Sequence, residues 1–410
     1  MYEWRMMIAT FIICLVIAEA TLHLLVEPSD GSYGKLWGRE LPPLTLIPPV
    51  PPPRSWSDRR EHYYKGLTVE GQPITSGDLY GIHRWDSRLG YVPVEHARSE
   101  RGWWQTNNIG ARAMHDVGRE IPAGITRVLV FGESFGVGSC VRQEETWTSV
   151  WQRTESNLEI LNFAVNGYSM GQAFLRYQEV SKMIDYDIVL VMFVPEEDLW
   201  RDVNTIRELY APWELYEVMP RFILLDGQLK LIKGLYEDPP SIYAVNGRKV
   251  SEELRGHLST YDRFYVRTKY EEPWLIGRSI IYKLAARAYF LNERDRQKRD
   301  LMNPGGEALQ VTRKIFEAMH EQARQNGKQF ILVLLPTGNP RTLVQGGTFW
   351  QTWRTMVSAV CAPSLTCIDL ADGLASAPRE DLDHGADGTH YGPRASRLIA
   401  KLIRDQLLDE

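Results

Sequence analysis

The chain is poor in cysteine, has no excess of positive charge, and carries only one apolar run placed to meet a membrane. Four cysteines stand in 410 residues. Cys361 and Cys367 are six apart around a turn-like Ala-Pro-Ser-Leu-Thr, a spacing open to a local disulfide in an oxidising compartment or to two reduced buried thiols. The spacing is not C-x-x-C and no histidine lies close by, which argues against zinc. Lys and Arg total 47 against 52 Asp and Glu, a net charge of -5. Without a basic excess to neutralise phosphates, a dedicated nucleic-acid binder is excluded. With 24% charged and 44% hydrophobic residues, the chain is neither largely disordered nor a multi-span membrane protein. No internal repeat is visible. Thirteen tryptophans are the one surplus. Aromatic planes line sugar and lipid sites, and they also pack cores.

What is present begins at the N-terminus. Residues 6–16 read MMIATFIICLV, uncharged, with Arg5 ahead, and a second apolar piece covers 22–26. Residues 1–27 are read as a membrane anchor or a signal peptide. A cleaved signal peptide would be cut after Ala20, following Ala18-Glu19-Ala20. A single anchor would hold Glu19 and His23 near its outer end, where polar groups are tolerated. The anchor is favoured. Either reading places the rest outside the cytoplasm, periplasmic or extracellular, with Arg5 inside; cleavage would make the chain secreted. Residues 28–54 form a linker, and within it LPPLTLIPPVPPPR (41–54) is dense enough in proline for extended polyproline II, a semi-rigid spacer. Residues 55–125 read as an accessory segment.

From residue 126 the pattern is regular. Apolar runs at 127–131, 158–165, 187–194, 329–335 and 366–370 alternate with helical stretches at 144–153, 171–184, 307–325, 349–360 and 393–408. Runs buried on both faces and separated by helices indicate a five-stranded parallel sheet in a three-layer, flavodoxin-like α/β sandwich. Ligands in such sheets bind outside the carboxyl ends of the strands. Residues 126–410 are read as one domain with an insertion at 199–302. That insertion is rich in Tyr and Trp, holds a helix-like stretch at 276–292, and suits a lid or cap.

Three strand ends carry unusual residues. Gly132-Glu133-Ser134 follows the first run, and a serine between strand and helix can expose its hydroxyl and the N–H groups of the turn. Asn166-Gly167-Tyr168-Ser169 follows the second. Asp387-Gly388-Thr389-His390 precedes the last helix. An Asp three residues ahead of a His can bond one ring nitrogen while the other takes a serine proton.

In this order, the motifs resemble the SGNH (GDSL-type) hydrolases of the membrane-anchored bacterial style. Gly132-Glu133-Ser134 matches the first family block, 161–169 around Gly167 the second, and Asp387 to His390 the last. Asp86 to Tyr91 and Asn107 to Arg112 resemble lead-in segments of these anchored proteins. The resemblance covers roughly 85–200 and 305–405. It implies the SGNH hydrolase fold and ester or acyl-group chemistry without a cofactor or metal. Ser134 would be the nucleophile, His390 the general base and Asp387 the residue that orients it, with the N–H groups of Ser134 and Gly167 in the oxyanion hole. Two departures stand out. Glu133 replaces the family's Asp, and Glu197 stands where an Asn amide would donate to the oxyanion. A lost donor of this kind costs about 3 kcal/mol, or 10²–10³ in rate. Glu197 held protonated by burial, the amide of Asn166 filling the gap, and a weak or non-hydrolytic protein are three resolutions. Glu196, Glu197 and Asp198 also admit a glycosidase or cation reading. The implied activity is a serine esterase or acyltransferase acting outside the cytoplasm on an acylated glycan or a lipid ester. The alternative is an inactive binding or assembly protein of the cell envelope. Oligomeric state is open.

Overall fold

The computed structural model describes residues 2–29, 32–44, 68–69, 72–73, 75–209, 218–235, 252–337, 346–361 and 365–408. The spacer beyond residue 44 and the insertion aromatics Tyr210, Trp213, Tyr216, Tyr236 and Tyr243 lie outside them.

Each of the five apolar runs forms a strand: β1 (Thr126–Phe131), β2 (Leu158–Asn162), β3 (Ile188–Phe193), β4 (Gln329–Leu334) and β5 (Thr366–Asp369). All pair in parallel in the order β5-β4-β3-β1-β2. The helices used below are α1 (Tyr2–Leu25), α2 (Trp147–Thr154), α3 (Met170–Met183), α4 (Pro195–Asp202), α5 (Ile280–Asp300), α6 (Glu307–Gln325), α7 (Thr348–Val360) and α8 (Pro393–Leu408). Alternate residues of a strand face opposite sides, and both sides of β1 are covered. Val128 and Val130 join Trp147 and Trp151 of α2 and Ala395, Ile399 and Ile403 of α8 in one core. Phe131 packs at 5.5 Å on Tyr177 of α3, and Phe193 at 5.0 Å on Phe316 of α6. This is the three-layer arrangement that the SGNH resemblance implies. The strand order reverses between β1 and β3, and a crevice opens at such a switch point beyond the carboxyl ends.

Arg127 fixes the opposite end of β1. Its side chain is 1% exposed and pairs with Glu159 of β2 at 2.5 Å. The guanidinium also donates to the carbonyls of Arg119 (2.9 Å), Asp185 (3.0 Å) and Glu120 (3.1 Å). Arg127→Met orphans all of these acceptors and leaves the Glu159 charge without its buried partner. The expected loss is about 3–5 kcal/mol of stability, read as a lowered midpoint in urea unfolding.

Local chemistry sets the boundaries. Thr146 caps α2 by accepting from Ser149 N–H, so the expected helix at 144–153 splits into a 3-10 turn at Gln143–Glu145 and α2. The second strand is shorter than expected because the chain bends after Asn162, although Phe163 N and Val165 N still donate to Val130 and Gly132 carbonyls. Cys361 and Cys367 are joined in a disulfide. Six of the eleven described tryptophans serve packing: Trp103, Trp104, Trp147, Trp151, Trp200 and Trp353 are buried.

The chain divides into two compact units, residues 1–51 with 240–299 and residues 52–239 with 300–410. The expected insertion at 199–302 is therefore not one piece. Leu199 to Asp202 complete α4, and the hairpin Arg221–Leu225/Gln228–Ile232 belongs to the sheet unit. Residues from 252 to 299 fold with the N-terminal residues, where Leu36, Leu41 and Ile280 form a small core with Leu22 and Val26 against it. The helix-like stretch starts and ends later than expected, as α5.

Candidate active site

Gly132 closes β1 at φ +152°, and a Cβ there would meet the Met192 carbonyl oxygen at 2.8 Å, so only glycine lets β1 run this close to β3. Glu133 follows, fully buried, and its carboxylate caps the next turn by accepting from Phe135 N–H at 2.8 Å. Ser134 opens that turn at the sheet's carboxyl edge. Far along the chain, Asp387 shapes the approach to α8. Its Oδ1 accepts from the N–H groups of Thr389 (3.0 Å) and His390 (3.1 Å), a local turn that an Asp favours. Its Oδ2 lies 2.6 Å from His390 Nδ1, and His390 Nε2 lies 2.7 Å from Ser134 Oγ. Residues 256 positions apart thus meet in one hydrogen-bonded chain. The Phe135 ring, centred 4.6 Å from the imidazole, and Tyr80, whose hydroxyl donates to Asp387 Oδ2 at 3.2 Å, hold the two in place.

The electrostatics favour a charged pair. Burial raises the Asp387 carboxyl, but the bond from His390 and two backbone N–H groups outweigh it and set it below the usual carboxylate range. Burial lowers His390; Cys140 and Asp387 outweigh it and raise the imidazole well above its ordinary value. Burial also pushes the Cys140 thiol up, against the pull of the facing His390. Ser134 has a second neighbour, since its hydroxyl also donates to Glu133 Oε2. Once the imidazole is neutral, that one proton faces two acceptors, the Glu133 carboxylate and His390 Nε2.

Gly167 sits at φ +73° in the turn after β2, closed by Tyr168 N donating to Val165 O at 3.1 Å. Asn166 departs from its expected role. Its Nδ2 donates to Tyr80 O at 2.6 Å and its Oδ1 accepts from Ser139 Oγ, so both ends of the amide hold the fold. The acidic trio needs correction too. It occupies the first turn of α4, where Asp198 is fully buried and Glu197 is not. Glu197, 35% exposed, pairs with Arg201 at 3.0 Å. Glu196 binds Thr337 N and Oγ1 through Oε1, both at 3.3 Å, and burial raises its carboxyl to about 7. Asp198 caps Val194 N–H at 2.7 Å; burial and then Glu133 hold it well above the usual range. The three carboxylates thus have separate partners and do not converge on one ligand.

Sequence reasoning missed three residues around the site. Arg112, fully buried, donates to the carbonyls of Gly138 (2.7 Å), Val141 (3.0 Å) and Trp103 (3.0 Å) and stacks at 4.1 Å on Trp104. Burial pushes its guanidinium down to about 9. It pins the loop behind Ser134, and its only signal was its place in the lead-in segment. Tyr80 gave no signal. Cys140, at φ +66°, carries its thiol 3.8 Å from His390 Nδ1. Cys140, Asp387 and His390 place a thiol, a carboxylate and an imidazole within 4.8 Å of one another. A soft divalent cation takes such donors, but the Asp387–His390 bond fills that space.

No family model and no curated protein matches the chain. Solved structures do. A lipase/acylhydrolase from Enterococcus faecalis is 13% identical, covering 69% of this chain and 95% of its own, with a TM-score of 0.35. A psychrotrophic esterase from a Pseudoalteromonas species is 12% identical, covering 70% and 100%, with a TM-score of 0.33. A member of the lipolytic G-D-S-L family from Veillonella parvula is 10% identical, covering 68% and 97%, with a TM-score of 0.31. At these values the functional reading rests on the chain's own residues.

Proposed function

We propose that the chain is a serine ester hydrolase or acyltransferase working outside the cytoplasm, held to the membrane by α1. The observation that carries the reading is the continuous bond from Asp387 through His390 to Ser134. In the proposed reaction, Ser134 Oγ attacks the ester carbonyl and His390 Nε2 takes its proton. Asp387 fixes the tautomer and steadies the imidazolium. The N–H groups of Ser134 and Gly167 donate to the oxyanion. The acyl-enzyme is resolved by water or by an acceptor hydroxyl, and an acylated glycan or a lipid ester is the substrate class. The Cys361–Cys367 disulfide suits an oxidising compartment. As a direct test, the full chain turns over a short-chain aryl ester, and a serine-directed phosphonate becomes attached to Ser134. Turnover unchanged in Ser134→Ala would refute the assignment.

A second reading, a non-hydrolytic envelope protein of the same fold, draws on the two glutamates. Glu133 competes with a neutral His390 for the Ser134 proton, and Glu197, by the resemblance, holds the position of a donor amide. Glu133→Asp keeps the cap on the turn but withdraws the carboxylate by one methylene; aryl-ester turnover at neutral pH is expected to rise about tenfold. Glu197→Asn supplies the missing amide and is expected to raise kcat by about 10². Enhancement from an undetectable baseline would favour the second reading.

A further inference from the structure

Glu19 is a carboxylate inside the apolar helix α1, which from Glu3 to Leu25 has the length to cross a membrane and whose most apolar 18 residues have a mean hydropathy of 2.2. Its oxygens accept from Ser279 Oγ (3.0 Å), Ile281 N (3.1 Å) and Ile280 N. These are donors that the first turn of α5 leaves without intrahelical partners, and a negative charge is favoured there. Glu19 is thus the cap of a helix that begins some 260 residues later. The bond carries information about depth. Glu19 lies six residues before the end of α1 at Leu25, about 9 Å at ~1.5 Å per residue. A span of about 30 Å that begins near Arg5 ends near Leu25, so position 19 lies within the outer leaflet. Groups hydrogen-bonded to Glu19 share its depth, and the turn Ser279–Ile281 is drawn down with it.

The residues just ahead of that turn fit such a place. Trp274, Leu275 and Ile276 are 91%, 80% and 53% exposed, three consecutive large apolar side chains on a loop. A cluster of this kind costs free energy in water and gains it in lipid, and tryptophan is the side chain enriched at the membrane interface. Between α1 and the turn runs an open groove of about 520 Å³, lined by Leu15, Val16, Ala20 and Ile281, with Glu19, His23 and Ser279 also on its wall. We propose that residues 274–281 are a second membrane-contact element, a Trp-Leu-Ile loop inserted into the outer leaflet beside the anchor, with lipid chains filling the groove.

This inference rests on α1 remaining in the membrane, and the test separates the two. The full chain is placed in phosphatidylcholine vesicles containing lipids with a nitroxide on the acyl chain. An environment-sensitive fluorophore is attached to the exposed native Cys14 in one sample and to a Cys14→Ser/Leu275→Cys variant in the other; Cys140 is buried and the other two cysteines are bonded. Both labels are expected to lose at least half their emission to the nitroxide lipids. Adding Glu19→Ala is expected to halve the quenching at position 275 while the label at Cys14 keeps its own. A quenched Cys14 label beside an unquenched label at 275 overturns the proposal and leaves the anchor standing. So does cross-linking of two copies through position 275 without quenching, which would make the patch a contact between chains. No quenching at either position overturns the anchor and the proposal together.

Discussion

Ser134→Ala is expected to lower kcat for an aryl ester by about 10⁴–10⁶ while leaving KM within a factor of a few. The argument comes from what the hydroxyl does and does not touch. Ser134 is 6% exposed and its hydroxyl contributes bonds to Glu133 and His390, so its loss removes the nucleophile without opening a cavity. Fold and ground-state binding survive. His390→Ala is expected to cost a similar factor, because without Nε2 at 2.7 Å the serine keeps its proton. The double variant should be little worse than either single one, since nucleophile and base act as a unit and the second loss removes nothing that still works. Three kcat values and three KM values under one set of conditions decide the matter. Additive losses, with the double variant far below both, would mean that the two side chains do not work in one step.

The parts of this architecture that are legible in sequence are those whose physical cause is local. Val128 to Phe131 and Val189 to Phe193 read as continuous apolar runs because parallel strands with helices on both sides have no wet face. Ser134, Asp387 and His390 stand at strand or helix ends, where backbone turns aim side chains at the carboxyl edge. The start of α4 is legible in principle. Pro195 at its first position, followed by three acidic residues in the first turn, is a helix start on both steric and dipole grounds, yet the charges drew attention as chemistry. The helical phase of those residues puts Glu197 on one face with Arg201, four positions on, a pairing that an extended segment does not make. The remaining features depend on contacts with no local trace. Tyr80 meets Asp387 across 307 residues, and Glu19 meets Ile281 across 262. A hydroxyl or a carboxylate in isolation does not announce such a partner, and only packing of the completed fold selects it.

Asp387→Asn is expected to lower kcat/KM by about 10⁴ at its plateau and to move the pH profile at the same time. Acyl transfer needs neutral His390 to accept the Ser134 proton. Cys140, with its thiol 3.8 Å from Nδ1, and the Asp387 carboxylate, 2.6 Å from the same nitrogen, together outweigh burial and raise the imidazole well above its ordinary value near 6.5. The unmodified chain should therefore gain activity as pH rises, with the midpoint of its acidic limb above 6.5, the signature of a free-enzyme base. The amide carries no charge to stabilise the imidazolium, so burial, which opposes it, weighs more. The limb should shift to lower pH while the plateau falls. The fall has a second cause in the tautomer, since an amide can offer its N–H to Nδ1 and so place the ring proton on Nε2, where it faces the serine and blocks the transfer. Measuring kcat/KM from pH 5 to 10 for both proteins separates the two effects, the limb reporting charge and the plateau reporting orientation. A plateau loss without a shift would leave Asp387 only the orienting role, and superimposable profiles would remove it from the catalytic chain altogether.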